Sequence, residues 1–282
     1  MKYLRIGRPG YETPVALHEG KYYDLSGPIG DIDGTFFAEH SLGRGGGIAT
    51  VAGFPEIDVE GERVAPPIAR PGAVVCIGMN YAAHCAESGA EPPAEPVVFY
   101  KHPNTIVGPN DDVEIPRGST RTDWEVELGV VFAKRASYLE SEEAALECIA
   151  GFVVANDVSE REFQIERSGG QFSKGKACPT FTPLGPWLVT PDEIEDVQNL
   201  RMWSKVNGEA RQDSSSGDMI FSVARIIHHM SQFMAFDPGD LLLTGTPEGV
   251  ALSGRFPYLK AGDVVEVGIE GLGSTANPTV QA

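Results

Sequence analysis

The chain has 282 residues, of which 41% are hydrophobic and 22% are charged, so it can bury a substantial core in one large domain or in a large domain with a smaller attachment. Acidic residues outnumber basic ones 40 to 22 and give a formal net charge of −18. This charge argues against nucleic-acid backbones and anionic membranes as partners, because no basic surplus exists to neutralise phosphates. A small anionic substrate remains compatible, since a cleft can carry a local charge opposite to that of the whole protein.

The sequence also restricts the compartment. The first residues, MKYLRIGRPGYE, lack the apolar stretch of a signal peptide, and no run approaches the ~18 apolar residues of a membrane span. The four cysteines are widely spaced and form no C-x-x-C pair. We therefore expect reduced, mostly buried thiols in a cytoplasmic protein.

The amino-terminal part differs from the rest in its sequence pattern. Short strand-like runs alternate with Gly and Pro turns up to about residue 65, and a proline-rich stretch follows. We predict a small N-terminal domain over residues 1–65 and a main domain over residues 66–282. The glycine-rich run at 42–49 is predicted to be a flexible surface loop.

The segment IGMNYAAHCAE, residues 77–87, is predicted to form a short helix with Asn80 as its cap. His84 and Glu87 are then three residues apart on one helix face. A carboxylate that holds one imidazole nitrogen fixes the tautomer and raises the basicity of the other nitrogen, which makes a general base for activating water. An ordinary surface ion pair is the alternative.

The run DWEVELGVV, residues 123–131, is predicted to be a strand. One face carries Trp124, Val126, Leu128 and Val130, as a core-facing side should, whereas the other begins with Asp123, Glu125 and Glu127. Like charges on one face repel each other, so either water covers that face or a positive group lies over it. The role of Asp123 stays undecided between support of a site and contact with water.

A further carboxylate follows at the end of the next apolar run, GFVVAND, which closes on Asp157. Its convergence with Glu125 and Glu127 would create a hard-oxygen site suited to Mg²⁺, Mn²⁺ or Ca²⁺. No Cys/His set at zinc spacing competes with it. From the pattern alone, a solvated acidic edge strand remains the alternative.

The rest of the main domain predicts an α+β, mostly β fold, because many short strands accompany few helices. One helix should follow a Ser141 cap, and a second should run roughly from Asp218 to Phe236. The segment from Gly170 to Ala177 almost matches a phosphate-binding P-loop. We reject that motif because it ends in Ala and Pro179 interrupts the helix that it requires.

Several ordered blocks carry a family resemblance: IGMNYAAHCAE, PVVFYKHPNTIVGPNDDVEIP, DWEVELGVV, GFVVANDVSEREFQ, GKACPTFTPLGPWLVT, VNGE and GDLLLTGTPEGV. In this order they resemble the fumarylacetoacetate hydrolase family over the whole main domain. The opening residues look like the bacterial branch that includes hydrolases of 2,4-diketo-3-deoxy sugar acids. The resemblance implies a mixed β-sandwich roll, assembled as a homodimer.

The resemblance also implies roles for individual residues. Glu125, Glu127 and Asp157 match the ligands of a divalent metal, commonly Mg²⁺, and His84 and Glu87 match a water-activating pair on a lid. Further positions match the substrate site: Lys101, Arg161, Gln164, Lys176 and Thr246. For Lys101, structural support is an equal alternative. Cys178 and Pro179 depart from the usual family pattern, which leaves the shape of the substrate open.

These expectations combine into a functional hypothesis. The protein would hydrolyse a carbon–carbon bond in a 2,4-diketo acid, an acylpyruvate or a diketo-deoxy sugar acid, and release pyruvate. Lys176 would stabilise the developing enolate charge. One alternative keeps the metal and performs decarboxylation, tautomerisation or isomerisation of 2-oxo acids. The other is a non-catalytic protein that binds metal or small acids.

Overall fold

The computed structural model describes residues 1–40, 48 and 50–282, so the predicted glycine-rich loop at 42–49 lies outside the described residues except for Ile48. Its α-helices are short: α1 (Gly34–Glu39), α2 (Ala82–Glu87), α3 (Glu142–Leu146), α4 (Ser173–Lys176) and α5 (Val223–Ser231). The strands outnumber them: β1 (Lys2–Ile6), β2 (Thr13–His18), β3 (Lys21–Asp24), β4 (Glu56–Ile57), β5 (Val64–Ala65), β6 (Val74–Gly78), β7 (Val97–Lys101), β8 (Ile106–Val107), β9 (Val113–Ile115), β10 (Thr122–Asp123), β11 (Val126–Phe132), β12 (Ile149–Asn156), β13 (Ser159–Glu160), β14 (Thr182–Val189), β15 (Arg201–Val206), β16 (Glu209–Ser215), β17 (Leu241–Leu243), β18 (Val264–Ile269) and β19 (Gly273–Gln281).

A large mixed sheet forms the centre of the molecule. Its strand order is β4-β3-β2-β1-β14-β12-β11-β17-β6-β7, with β5 beside β1 and β8 beside β14. Most neighbours are antiparallel, whereas β17 and β6 are parallel. A second sheet has the order β16-β15-β18-β19-β9, and β10 pairs with β13. The predicted mostly β, mixed fold is confirmed.

Strand β11 is buried on both of its faces, which explains its sequence. The even-numbered face, with Val126, Leu128 and Val130, packs in the core between the large sheet, the second sheet and α5. The odd-numbered face carries Val131 into a separate core under α1. The predicted core-facing side is therefore correct, and the acidic end of the opposite face is also shielded from water.

The first three strands extend the large sheet through the antiparallel pairing of β1 with β14, where Lys2 faces Val189. The division of the chain at residues 65 and 66 therefore stays a prediction. No helix in the described part of the chain combines the length and the apolar character needed to cross a membrane. The four cysteines are free thiols.

Both predicted helices exist, and both are shorter than expected. Helix α3 begins after the Ser141 cap and ends at Leu146, because the chain enters β12 three residues later. Helix α5 begins only at Val223, because the side chain of Ser222 caps it by accepting from Arg225 N. The preceding residues instead form a 3₁₀ turn at Ser216–Asp218 and an extended segment.

Candidate active site

Three carboxylates converge at one end of β11 and β12. The backbone N–H of Glu125 donates to Asn156 Oδ1 at 3.0 Å, and the N–H of Asp157 donates to Glu125 O at 2.9 Å. These bonds bring Asp157 beside the strand that carries Glu127. One carboxylate oxygen from each of the three residues lies within 4.8 Å of the others, and all three side chains are buried. The solvated-edge alternative is therefore wrong, and we refer to these three residues as the carboxylate triad.

Three buried cationic side chains surround the triad, and they form ion pairs with Glu125 and Asp157 but not with Glu127. Lys176 Nζ lies 2.6 Å from Glu125 Oε2 and 2.8 Å from Asp157 Oδ2. Lys101 Nζ lies 2.6 Å from Asp157 Oδ1, and Arg161 Nη1 lies 2.7 Å from Glu125 Oε1. Within the described residues, no Lys or Arg pairs with Glu127.

Glu127 instead accepts a hydrogen bond from the backbone N–H of Gly245 at 2.9 Å. That backbone has a φ of +98°, and a Cβ on it would lie 2.9 Å from the Cβ of Asn80. Glycine is therefore required where the chain supplies this donor.

The electrostatics of the triad fit a bound cation. Burial raises the pKa of the Glu127 carboxyl well above its ordinary value, and the neighbouring charges of Asp157 and Glu125 add to this effect. Burial acts in the same direction on Glu125, but Lys176 and Arg161 outweigh it and hold the pKa of Glu125 below its ordinary value. A divalent metal ion would relieve both the repulsion and the desolvation at Glu127, and three carboxylates are the oxygen donors that Mg²⁺, Mn²⁺ and Ca²⁺ accept.

The predicted histidine–carboxylate pair lies on α2. His84 is 7% exposed, and its Nδ1 lies 4.0 Å from Glu87 Oε2, which is too long for a hydrogen bond. Glu87 instead accepts from the N–H of Gly249 and from Arg255 Nη1, both at 3.0 Å. Burial lowers the pKa of the His84 imidazole, although the nearby charge of Glu125 opposes this shift. This shift favours the neutral form of the His84 imidazole.

Distant parts of the chain hold α2 in place. The N–H of Ala83 donates to Asp218 Oδ2 at 2.9 Å, so an acidic residue from elsewhere occupies the amino-terminal end of the helix. Asn80 does not cap the helix as predicted, since Tyr81 precedes its first residue and no side chain caps it locally. The Asn80 amide instead donates to Thr244 O at 2.8 Å and accepts from Phe221 N at 2.8 Å. These tertiary contacts outweigh the local capping preference.

His84 and two members of the triad, Glu125 and Glu127, line a small cavity of about 160 Å³, whereas Asp157 and Glu87 lie outside its lining. Polar residues form one part of its lining: His84, Ser88, Glu125, Glu127, Arg161, Gln164, Lys176 and Thr246. The other part is mainly apolar: Ile77, Gly78, Met79, Phe99, Ile165, Phe172 and Leu252. The lining of the cavity is therefore partly charged and partly apolar.

Two predicted substrate residues differ in their exposure to this cavity. Thr246 lines it, donating its hydroxyl to Val126 O and accepting from Gln212 Nε2, both at 2.9 Å. Lys101 does not belong to the lining, since it lies behind Asp157. Its ammonium also donates to two backbone carbonyls, at Val158 and Lys176. The geometry of Lys101 is that of a supporting residue.

Sequence reasoning missed one buried contributor, Gln212. It bridges Val126 N and Thr246 Oγ1, and it was hidden in a polar strand with no distinguishing pattern. Asp123, whose role the sequence left undecided, accepts hydrogen bonds from the backbone of residues 251 and 252 and from Arg161. It is completely buried, which favours support of the site over contact with bulk water.

Comparison with known proteins agrees with the fold. The model of the fumarylacetoacetate (FAA) hydrolase C-terminal domain matches residues 73–281. A Burkholderia multivorans protein that carries a hydrolase name is 47% identical over 277 residues, which are 97% of this chain and 96% of its own.

Solved structures with similar folds carry two kinds of name. The fumarylacetoacetate hydrolase from Exiguobacterium antarcticum is 31% identical with a TM-score of 0.86, and the match covers 100% of both chains. The 2-hydroxyhepta-2,4-diene-1,7-dioate isomerase from Mycobacterium marinum is 30% identical with a TM-score of 0.78, covering 100% of this chain and 98% of its own. The extent of the domain match and these identities lead to one conclusion: the chain belongs to the fumarylacetoacetate hydrolase family.

Proposed function

We propose that the protein is a metal-dependent hydrolase that cleaves a carbon–carbon bond in a 2,4-diketo acid and releases pyruvate. The substrate would be an acylpyruvate or a 2,4-diketo-3-deoxy sugar acid. One observation carries the proposal: a buried His84, with a nearby carboxylate and a lowered pKa, lines the same small cavity as Glu125 and Glu127. Such a base is required to activate water against a carbonyl carbon.

In this proposal, Glu125, Glu127 and Asp157 hold the metal, with Mg²⁺ as the first candidate and Mn²⁺ or Ca²⁺ as alternatives. The bound cation would supply Lewis-acid polarisation of the oxygens at the 2-oxo acid end of the substrate. Lys176 and Arg161 keep Glu125 ionised, so that it remains available as a ligand.

The protein side chains then act on water and on the departing group. His84 takes a proton from a water molecule, the nearby Glu87 carboxylate stabilises the charge that the imidazole gains, and the water oxygen bonds to C4 of the substrate. The C3–C4 bond breaks, C4 leaves as a carboxylic acid, and the pyruvate half departs as an enolate that takes the proton from His84 at C3, which returns the imidazole to its neutral form. The fixed ammonium of Lys176 stabilises the enolate charge in a site shielded from solvent.

A second candidate function is isomerisation of an unsaturated 2-oxo acid, or another reaction of the enolate such as tautomerisation or oxaloacetate decarboxylation. The isomerase names of structural neighbours and the 4.0 Å gap between His84 and Glu87 favour it. None of these reactions needs a water molecule to attack a second carbonyl. A protein that only binds metal or small acids is the remaining alternative.

The experiment is a substrate panel of acylpyruvates, diketo-deoxy sugar acids, oxaloacetate and 2-hydroxy-dienoates, with and without Mg²⁺. Pyruvate is quantified as product, and isomerisation is followed by ultraviolet absorbance. We expect Mg²⁺-dependent pyruvate release from a diketo acid, its loss in His84→Ala, and its retention in His229→Ala on α5. Full activity in His84→Ala or in excess chelator contradicts the hydrolase, and absorbance change without pyruvate identifies an isomerase.

We also propose that the enzyme works as a homodimer in the cytoplasm, as the family resemblance implies. Light scattering on the purified protein measures its oligomeric state, and fractionation of the producing cells measures its location.

A further inference from the structure

Asp123 is a fully buried carboxylate with every acceptor position in use. Oδ1 accepts from the backbone N–H of Trp124 at 2.9 Å and of Ala251 at 2.8 Å. Oδ2 accepts from the N–H of Leu252 at 2.9 Å and from Arg161 Nε at 2.8 Å. A carboxylate offers about four lone-pair sites, so these four donors leave none for a metal.

On one side, Asp123 connects to the triad. Its partner Arg161 also donates Nη1 to Gln164 Oε1 at 2.9 Å and lies 2.7 Å from Glu125 Oε1. The guanidinium is 2% exposed and lines the cavity. The orientation of Arg161, and with it that of the Glu125 carboxylate, therefore depends on Asp123.

On the other side, Asp123 connects to the histidine–carboxylate pair. The two backbone donors at Ala251 and Leu252 belong to the 3₁₀ turn Ala251–Ser253. The residues that flank this turn, Gly249 and Arg255, are the two that hold the carboxylate of Glu87. Glycine is required at Gly249, since its φ is +98° and a Cβ there would clash with the backbone carbonyl of Arg211.

We propose that Asp123 is a positioning residue that fixes the His84–Glu87 pair relative to the carboxylate triad, by anchoring Arg161 and the turn at 251–253 with one carboxylate. The inference rests on the proposed function, since it assigns Asp123 to the geometry of that reaction. A claim that two separated groups are coupled needs direct evidence of energetic coupling as well as contacts that connect them. The hydrogen bonds of Asp123 connect the groups, and variants of Asp123 measure the energetic coupling.

The central variant is Asp123→Asn. Its amide keeps one accepting oxygen and presents an NH₂ to donors, so either Arg161 or the turn must lose its partner. Asp240→Asn is the matched control. Asp240 is also buried and accepts from two backbone N–H groups, those of Ala73 and Asp237, and neither of these donors belongs to the cavity lining.

Hydrogen exchange provides a measurement that does not depend on activity. In Asp123→Asn we expect faster amide exchange over residues 249–255 and also over 82–90, which contain α2, whereas Asp240→Asn leaves both segments at the wild-type rate. Calorimetry with Mg²⁺ alone should show weaker binding in Asp123→Asn, because Arg161 no longer fixes the Glu125 carboxylate, and wild-type binding in Asp240→Asn. Unchanged exchange over 82–90 overturns the inference, and so does unchanged Mg²⁺ binding in Asp123→Asn.

Kinetics then test the coupling. We expect kcat to fall about 10²-fold in Asp123→Asn, as for a misplacement of about 1 Å at a catalytic group. Because both changes would act on the same pair, the double variant with Glu87→Gln should be little worse than the poorer single variant. Multiplicative effects contradict the inference. Wild-type activity in Glu87→Gln instead contradicts the proposed function. In that case hydrogen exchange alone still tests whether Asp123 positions α2.

Arg255→Met keeps the inference testable if Asp123→Asn does not fold, because the Arg255 side chain is 59% exposed. We expect a lower kcat with little change in KM, faster exchange over 82–90, and recovery in Arg255→Lys. Arg201→Met, which breaks the exposed ion pair with Asp213, is the control. Wild-type kcat and exchange in Arg255→Met overturn the link through the turn.

Discussion

The Nδ1 atom of His84 lies 4.0 Å from Oε2 of Glu87, and it is buried without a hydrogen-bond partner in the described part of the chain. A buried, unpartnered ring nitrogen is energetically unfavourable, so a movement of about 1 Å that closes this gap would be stabilising. The pair is therefore close to, but short of, the geometry that orients an imidazole for proton transfer. The role of the Glu87 carboxylate can be measured directly. The pH dependence, the stability and the metal binding of the site can be measured in the same way.

Glu87→Gln removes the charge that would support protonated His84 while preserving the shape of the side chain. We expect kcat to fall by roughly 10–10²-fold with KM within about twofold of wild type, because the lost interaction strengthens only as His84 gains a proton. The unfolding free energy should fall by no more than ~1 kcal/mol, since the partner Arg255 is exposed. Steady-state kinetics and urea titration check this, with Asp213→Asn as the control, and a raised KM at unchanged kcat would refute it.

The pH dependence of kcat/KM should have an acid limb below 6.5. Burial lowers the pKa of His84 from its ordinary value of 6.5, and the neutral imidazole is the active form. Activity is therefore present above that lowered pKa and disappears as the pH falls through it, with a tenfold loss per pH unit further down. Initial rates from pH 4.5 to 8.5 measure the midpoint, and a midpoint above 7 would exclude His84 as the base.

Lys101→Met should mainly affect stability. The substitution removes the cation at Asp157 and leaves the carbonyls of Val158 and Lys176 without that donor. Breaking one side of a buried pair costs about 3–5 kcal/mol. The matched control is Lys21→Met, which breaks an exposed pair with Glu56 and should have a much smaller effect on stability. Chemical denaturation compares the two, and equal effects would show that Lys101 is not a supporting residue.

Metal binding should appear as stabilisation. Mg²⁺ at 100 times its dissociation constant is expected to add about 2.7 kcal/mol to the unfolding free energy, and chelator should remove it. Glu127→Gln should abolish this gain. Without metal, the same variant should be at least as stable as wild type, because the raised pKa of Glu127 means that the folded protein favours an uncharged group there. Thermal melts with Asp240→Asn as control measure both effects, and a full Mg²⁺ shift in Glu127→Gln would exclude it as a ligand.

The parts of the site that follow strand periodicity could be predicted from the sequence. The alternation in β11 separates Glu125 and Glu127 from the core face, and the end of the next apolar run identifies Asp157. The i, i+3 spacing of His84 and Glu87 likewise brings both side chains to one side of α2, although the hydrogen bond between them is absent here.

The parts that depend on distant backbone could not be predicted. The partners of Asp123 are amide groups 128 and 129 residues away, and backbone donors carry no sequence signature. Asn80 has the residue type of a helix cap, but contacts with Phe221 and Thr244 outweigh that local preference. The same contacts shorten α5, because they hold the residues before Ser222 in an extended path.

The anchoring of α2 has a consequence for how the enzyme is assembled. The backbone and carboxylate contacts that position His84 and Glu87 come from Asp218, Phe221, Thr244, Gly249 and Arg255. A nascent chain that has emerged only as far as residue 217 already contains the triad, the histidine and both lysines, yet it has none of these anchors. The residues that position α2 are therefore synthesised only with the last quarter of the polypeptide. An unfinished chain contains the reactive side chains but not the contacts that align them.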